Sequence, residues 1–277
     1  MVKRVYFDTD AFREVGEGLG NAALSADLRE SILVSPLSAF EVLSQLCTAE
    51  AEEVLRQIQA IHKWVDPQRA GMLPWPDDAL GIIGFGKKVM DEDFTQRMQT
   101  AFNVCLSADS VESLKEEACK LKDVMDAMKL SYAQNFGRLI EASKSEASKR
   151  DGEPVDWFSD GFSNAWFQGI VKRLQIDPHS WSAADVQNTF NAYHEFERVK
   201  LETAIAVKNY NPEKHANDLF DVEQLVYLGS PELHFLTCDK GFARVRRAAQ
   251  AAQIIIVSPS DLSDHGKVET LLREITG

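Results

Sequence analysis

Strand-forming runs lie only near the two ends of this chain of 277 residues, with a long helical stretch between them. Residues 4–8 (RVYFD) and 31–35 (SILVS) are β-rich near the start, and residues 234–237 (HFLT) and 254–257 (IIIV) near the end. Any sheet must therefore join segments that are distant in sequence. Helical patterns separate these runs. Residues 11–19 and 22–30 read as helical pieces broken at Gly18 and Gly20. Pro36 suits a first helical turn with Ser35 as N-cap, and a helix is expected from there to about Trp64. Its apolar stripe is Phe40, Leu43, Cys47, Val54, Ile58 and Ile61. Near the other end, residues 217–228 and 241–252 read as helices. Strands alternating with helices imply a parallel α/β sheet, and such sheets bind ligands off the carboxyl ends of their strands.

Between residues 62 and 211 strand signals vanish, and helical patterns run through 108–148, 155–175 and 182–207. Residues 67–78 and 209–214 read as irregular entry and exit loops. All five tryptophans (Trp64, Trp75, Trp157, Trp166 and Trp181) fall in this stretch, and core packing is the expectation for them. The stretch reads as a helical insertion, 62–211, into a domain formed by 1–61 and 212–277. The two flanking pieces together have an ordinary domain size.

Within those flanking pieces, four acids sit in hydrophobic frames: Asp8 in VYFDTDAF, Glu41 in SPLSAFEVLSQL, Asp221 in NDLFDVEQLVYL and Asp239 in LHFLTCDKGF. Carboxylates beside a core cost free energy unless a cation accompanies them. Oxygen-only donors suit hard divalent ions and phosphate chemistry. Asp8 and Asp239 follow apolar strands directly. Asp218 and Asp221 open a helix, where acids are also favoured by the helix dipole.

Charge and cysteine content set the surroundings. The chain carries 43 acids against 30 Lys plus Arg, a formal charge of -13, which argues against broad adhesion to nucleic acid or membrane but allows a local basic groove. No run approaches the length of a membrane helix, and the N-terminal run is too short for a signal peptide. The four cysteines form no C-x-x-C pair; Cys47 and Cys238 read as small core residues, and a reducing cytoplasm is the expected location.

The order strand-DTD, SPLSAFEVL, DLFDVEQLVYL, FLTCDKGF resembles the PIN-domain nucleases, metal-dependent ribonucleases that include toxins of toxin–antitoxin pairs. The resemblance covers the two flanking segments and not the insertion. It implies a three-layer α/β/α fold with a central, mainly parallel sheet. It also implies endoribonuclease activity on RNA, with Mg²⁺ or Mn²⁺ held by Asp8, Glu41, Asp221 and Asp239. Asp10 and Asp218 are outer-shell candidates, and Thr237 would orient a water or a phosphate oxygen. The toxin members imply a protein inhibitor as partner; self-association is left open. Lys240, Arg244, Arg246 and Arg247 form a cationic run that either holds substrate phosphates or is a solvated face.

Other readings compete. A PIN-like fold can serve as a silent scaffold. D-T-D after a strand also resembles the haloacid-dehalogenase phosphatases, but Phe12 stands where Thr or Val is expected, and Glu41 and T-x-D go unexplained. The G-I-I-G-F-G-K-K run at 81–88 follows no strand and ends in Lys88, so a phosphate loop is not expected. His194-Glu195 lacks the second His of a zinc protease, and His215 reads as a loop residue.

Overall fold

A computed structural model describes residues 3–19, 24–61, 71–89, 94–148, 160–177, 179 and 181–277. Gly20, Trp64, Trp157 and much of the expected entry loop lie outside them. The chain is mostly helical around a three-stranded parallel sheet, in the order β1 (Arg4–Phe7), β2 (Leu233–Thr237), β3 (Ile254–Ile256). In β1 and β2, Phe7 pairs with Leu236, which closes 229 residues of chain in one ladder.

The expected strand at 31–35 is reduced to single bridges, Ile32 to Val5 and Val34 to Met72, both parallel. It is short because α2 (Ala26–Ser31) ends on one side of it and α3 (Pro36–Gln45) begins on the other. The sheet thus continues from β1 through 32–34 to Met72 on one side and through β2 to β3 on the other. The connections change direction at β1, which is the switch point where open α/β sheets bind ligands.

Alternation along the strands divides the core. Val5, Phe7 and Leu236 enter one apolar layer, while Tyr6, Leu233 and Phe235 enter a second on the opposite face. α1 (Thr9–Leu19), α3 and α4 (Ala51–Ile61) cover the first face. The helix expected from Pro36 to Trp64 is two helices, because Thr48 accepts from Glu50 N and donates to Gln45 O, competing with the helical ladder.

The middle of the chain forms α5 (Pro76–Phe85), α6 (Phe94–Leu106), α7 (Lys115–Ser148), α8 (Asp160–Leu174), α9 (Ala183–Thr189) and α10 (Asn191–Ala206). These helices join the same two apolar layers: Met98, Phe102 and Met125 pack in the first, and Leu80, Phe167 and Phe196 in the second. The limits 62 and 211 mark a change of sequence pattern; the hydrophobic layers cross both. α11 (Asp218–Gln224) is followed by a 3-10 segment, Leu225–Gly229. The helix expected at 241–252 is instead two 3-10 turns, Lys240–Val245 and Ala251–Gln253. Phe242 and Val245, three apart, are both buried, a spacing that 3.0 residues per turn places on one side. α12 (Pro259–Leu262) and α13 (His265–Thr276) end the chain.

Two findings correct the sequence reading of particular side chains. Ser35 occupies the N-cap position of α3, but its hydroxyl donates to Gln224 Oε1 at 2.8 Å. Gln224 Nε2 donates to Ser38 Oγ at 3.0 Å, Ser38 Oγ donates to Phe7 O at 2.9 Å, and Tyr6 OH donates to Gln224 O at 2.7 Å. This buried relay ties α3 and α11 to β1. Cys47 and Cys119 form a disulfide between the end of α3 and the start of α7, whereas Cys47 alone reads as a core residue. Among the described residues no helix is long and apolar enough to cross a membrane.

Gln224→Leu should strand the Ser35 hydroxyl and lower stability by roughly 1–3 kcal/mol in chemical denaturation; an unchanged midpoint would refute the relay. Cys47→Ser with Cys119→Ser should cost roughly 2–4 kcal/mol. Peptide mapping without reductant should recover the cross-linked pair, and finding both thiols free would remove it.

Candidate functional site

The parallel register sets the first two carboxylates. Asp8 follows β1, and its backbone N–H donates to Leu236 O at 3.2 Å. Thr237 ends β2 directly alongside, and its hydroxyl donates to Asp8 Oδ2. The other oxygen, Oδ1, accepts from Ala11 N at 2.7 Å, so the carboxylate is fixed at both ends. Asp8 is only 8% exposed. Burial pushes its pKa up to about 7, with Asp10 and Asp239 adding to the rise and the Thr237 and Ala11 hydrogen bonds opposing it. Asp239 stands two residues past β2. Its N–H donates to Thr237 Oγ1 at 2.9 Å, and its Oδ1 accepts from Gly241 N at 2.6 Å. Thr237 is therefore the hinge pin between both acids, with one oxygen serving as donor to Asp8 and acceptor from Asp239.

Glu41 comes from α3. Thr9 Oγ1 donates to its Oε2 at 2.5 Å, and Lys129 of α7 lies 3.6 Å from Oε1. Burial raises its pKa, while Thr9 and Lys129 hold it down. Asp221 comes from α11. Burial pushes it up to about 8, and the charges of Asp218, Glu41, Asp239 and Asp8 add to the rise. Asp221 therefore lies within electrostatic reach of the other three main acids. Asp218 is held apart by Lys200, 3.0 Å away. Asp10 is exposed on the first turn of α1, close enough to Asp8 and Glu41 to raise both.

The acids share one region but do not close around a point. Among the described residues, no three Asp, Glu, His or Cys side chains are placed to hold one ion. Glu41 is drawn toward Thr9 and Lys129, and Asp218 toward Lys200. The donor set still fits a hard divalent cation in kind: it is all oxygen, and burial with repulsion from neighbouring acids raises the pKa of Asp8 to about 7 and of Asp221 to about 8. Magnesium keeps several waters, so contacts through water suit this spacing.

The cationic run is not drawn into the cluster. Lys240, Arg244, Arg246 and Arg247 are exposed. The field of Arg244 reaches Tyr210, and that of Arg247 reaches Glu202. Residues 81–85 of the glycine-rich run are the C-terminal turns of α5, and Gly86 ends the helix at φ 62. A helix C-terminus presents carbonyls, which repel phosphate. His215 stacks on Tyr210 with ring centroids 4.7 Å apart. Trp75 and Trp166 are core residues, while Trp181 is 39% exposed. The sequence reading missed Thr9, Lys129 and Lys200. Thr9 lies inside D-T-D and could have been found there; Lys129 and Lys200 lie on long mixed-charge helices with no local signal.

In an unfolded chain both Asp8 and Asp221 ionise near pH 4. Folded, they hold their protons to about 7 and about 8. Between these limits the folded state binds more protons than the unfolded one, so stability falls as pH rises from about 4 to 8. The melting temperature of chelator-treated protein should drop across that window. Asp221→Asn should flatten the slope and melt roughly 2–4 °C higher at pH 8, and an unchanged slope would contradict the assignment.

No family model, no curated protein and no solved structure matches this chain.

Proposed function

We propose that this protein is a metal-dependent endoribonuclease of PIN-like type, hydrolysing phosphodiester bonds of RNA at the carboxyl ends of β1 and β2. One observation carries the reading: Glu41, Asp239 and Asp8, from three other segments, all lie within electrostatic reach of Asp221 near the carboxyl ends of β1 and β2, and Asp8 and Asp221 carry raised pKa values. Perturbed carboxylates clustered at a strand end are characteristic of sites rather than of packing.

Asp8, Glu41, Asp221 and Asp239 would hold Mg²⁺ or Mn²⁺, directly or through water, with Asp10 and Asp218 outside them. Bound there, the ion supplies Lewis-acid polarisation of a phosphoryl oxygen and neutralises the charge that builds on it. The chain's own residues supply orientation and proton handling. Thr237 and Ala11 hold the Asp8 carboxylate in a single orientation. Lys129 and Thr9 do the same for Glu41. Without the ion Asp221 holds its proton up to about 8, so binding the ion there would release that proton. The exposed cations after Asp239 would bind backbone phosphates of flanking nucleotides.

Single-stranded RNA incubated with Mn²⁺ or Mg²⁺ should be cut by the wild type. Chelator, Asp8→Asn and Asp221→Asn should each abolish the cutting, and Thr237→Val should slow it roughly 10–100-fold, as loss of a residue that orients a ligand does. Equal cutting by wild type and both Asn variants would reveal a contaminant and end this reading.

A further inference from the structure

A second feature lies beside the acidic region. A cavity of about 580 Å³ opens between α7, α8, α10 and α11, within the size range of small-molecule sites. Leu219 and Glu223 of α11 line it, on the same short helix that carries Asp218 and Asp221. Tyr132 of α7 also lines it, and its hydroxyl accepts from Lys200 Nζ at 2.9 Å. Lys200 is the partner of Asp218. One lysine therefore joins the cavity wall to the acidic cluster.

The chemistry of the wall is uneven. Glu223 is fully engaged: Arg173 Nη1 donates to Oε1 at 2.7 Å and Nη2 to Oε2 at 3.0 Å. Arg173 also reaches Asp77 at 2.5 Å, so its charge is shared between two carboxylates. Glu197, which also faces the cavity, has no such partner. Trp166 Nε1 donates to its Oε2 at 2.8 Å, and among the described residues Oε1 accepts no hydrogen bond. Burial and the nearby Glu223 push its pKa up to about 7. An acceptor in an open-sided, net acidic cavity calls for N–H donors from a ligand. Tyr132 and Tyr193 add aromatic walls, with Val124 and Met128 as apolar ones. Such walls suit a flat ring.

We propose that this cavity takes a nucleobase bearing an exocyclic amino group, selecting adenine, cytosine or guanine over uracil beside the acidic centre. The identity of the ligand rests on the nuclease reading above; the donor requirement rests on Glu197 and the cavity. Carboxylates accept from exocyclic amino groups in base recognition, and a site built around such a bond rejects a ligand that lacks it.

Calorimetric titration with AMP, CMP, GMP and UMP, in chelator so that no cutting intervenes, tests the inference. At least one amino-bearing nucleotide should bind at least about tenfold more tightly than UMP. Glu197→Gln keeps an acceptor for Trp166 and should erase that preference. Ser131→Trp, at an exposed position on the rim, should block all four without disturbing the core. Equal binding of the four nucleotides, no binding by wild type, or unchanged selectivity in both variants would overturn it. The two proposals fail separately: RNA cutting without nucleotide selectivity removes the base pocket alone, and selective binding without RNA cutting removes the nuclease alone.

Discussion

The parallel pairing of β1 with β2 is the constraint on which the rest of the molecule depends. It joins residues 229 positions apart, and loop closure over such a distance costs entropy that only a large apolar interface can offset. The alternation of Tyr6 against Val5 and Phe7 answers this by burying both faces of the sheet. The same register puts Asp8 next to Thr237, because each stands one residue beyond the Phe7–Leu236 pair. A one-residue slip would turn the side chains of β2 to the opposite face and break the Thr237–Asp8 bond.

The site opposes the stability of its surroundings. Burial and repulsion from neighbouring acids raise Asp8 to about 7, against its hydrogen bonds from Thr237 and Ala11, and raise Asp221 to about 8. Among the described residues, the nearby cations make their ion pairs with other acids: Lys129 with Glu41, Lys200 with Asp218 and Arg173 with Glu223. A fold selected for stability alone would pair or replace such groups. Helix α7 links the parts. It carries Lys129 toward Glu41 and Tyr132 toward Lys200, and the Cys47–Cys119 disulfide fastens its start to the end of α3.

Strand ends and the four acids could be read directly, because an apolar run followed by Asp has a period and a boundary. Helical breaks were harder. Thr48 ends a helix through its own hydroxyl, and Phe242 and Val245 draw residues 240–245 into a 3-10 turn. Both are decided by where a side chain finds a partner. The limits of the helical middle were legible as a change of pattern, but not its packing into the two apolar layers it shares with the ends.

The sequence alone determined that segments near the two ends supply the strands, that the sheet is parallel, and that Asp8 and Asp239 stand where those strands stop. Local periodicity and the residues that terminate it are sufficient for that. Only the tertiary structure decided which groups answer those acids: Thr237 between Asp8 and Asp239, Thr9 and Lys129 on Glu41, Lys200 on Asp218, and Cys119 on Cys47. Apart from Thr237 and Thr9, these partners come from helices distant in sequence. Their proximity is set by burial of apolar faces, which carries no mark at the polar residues it brings together.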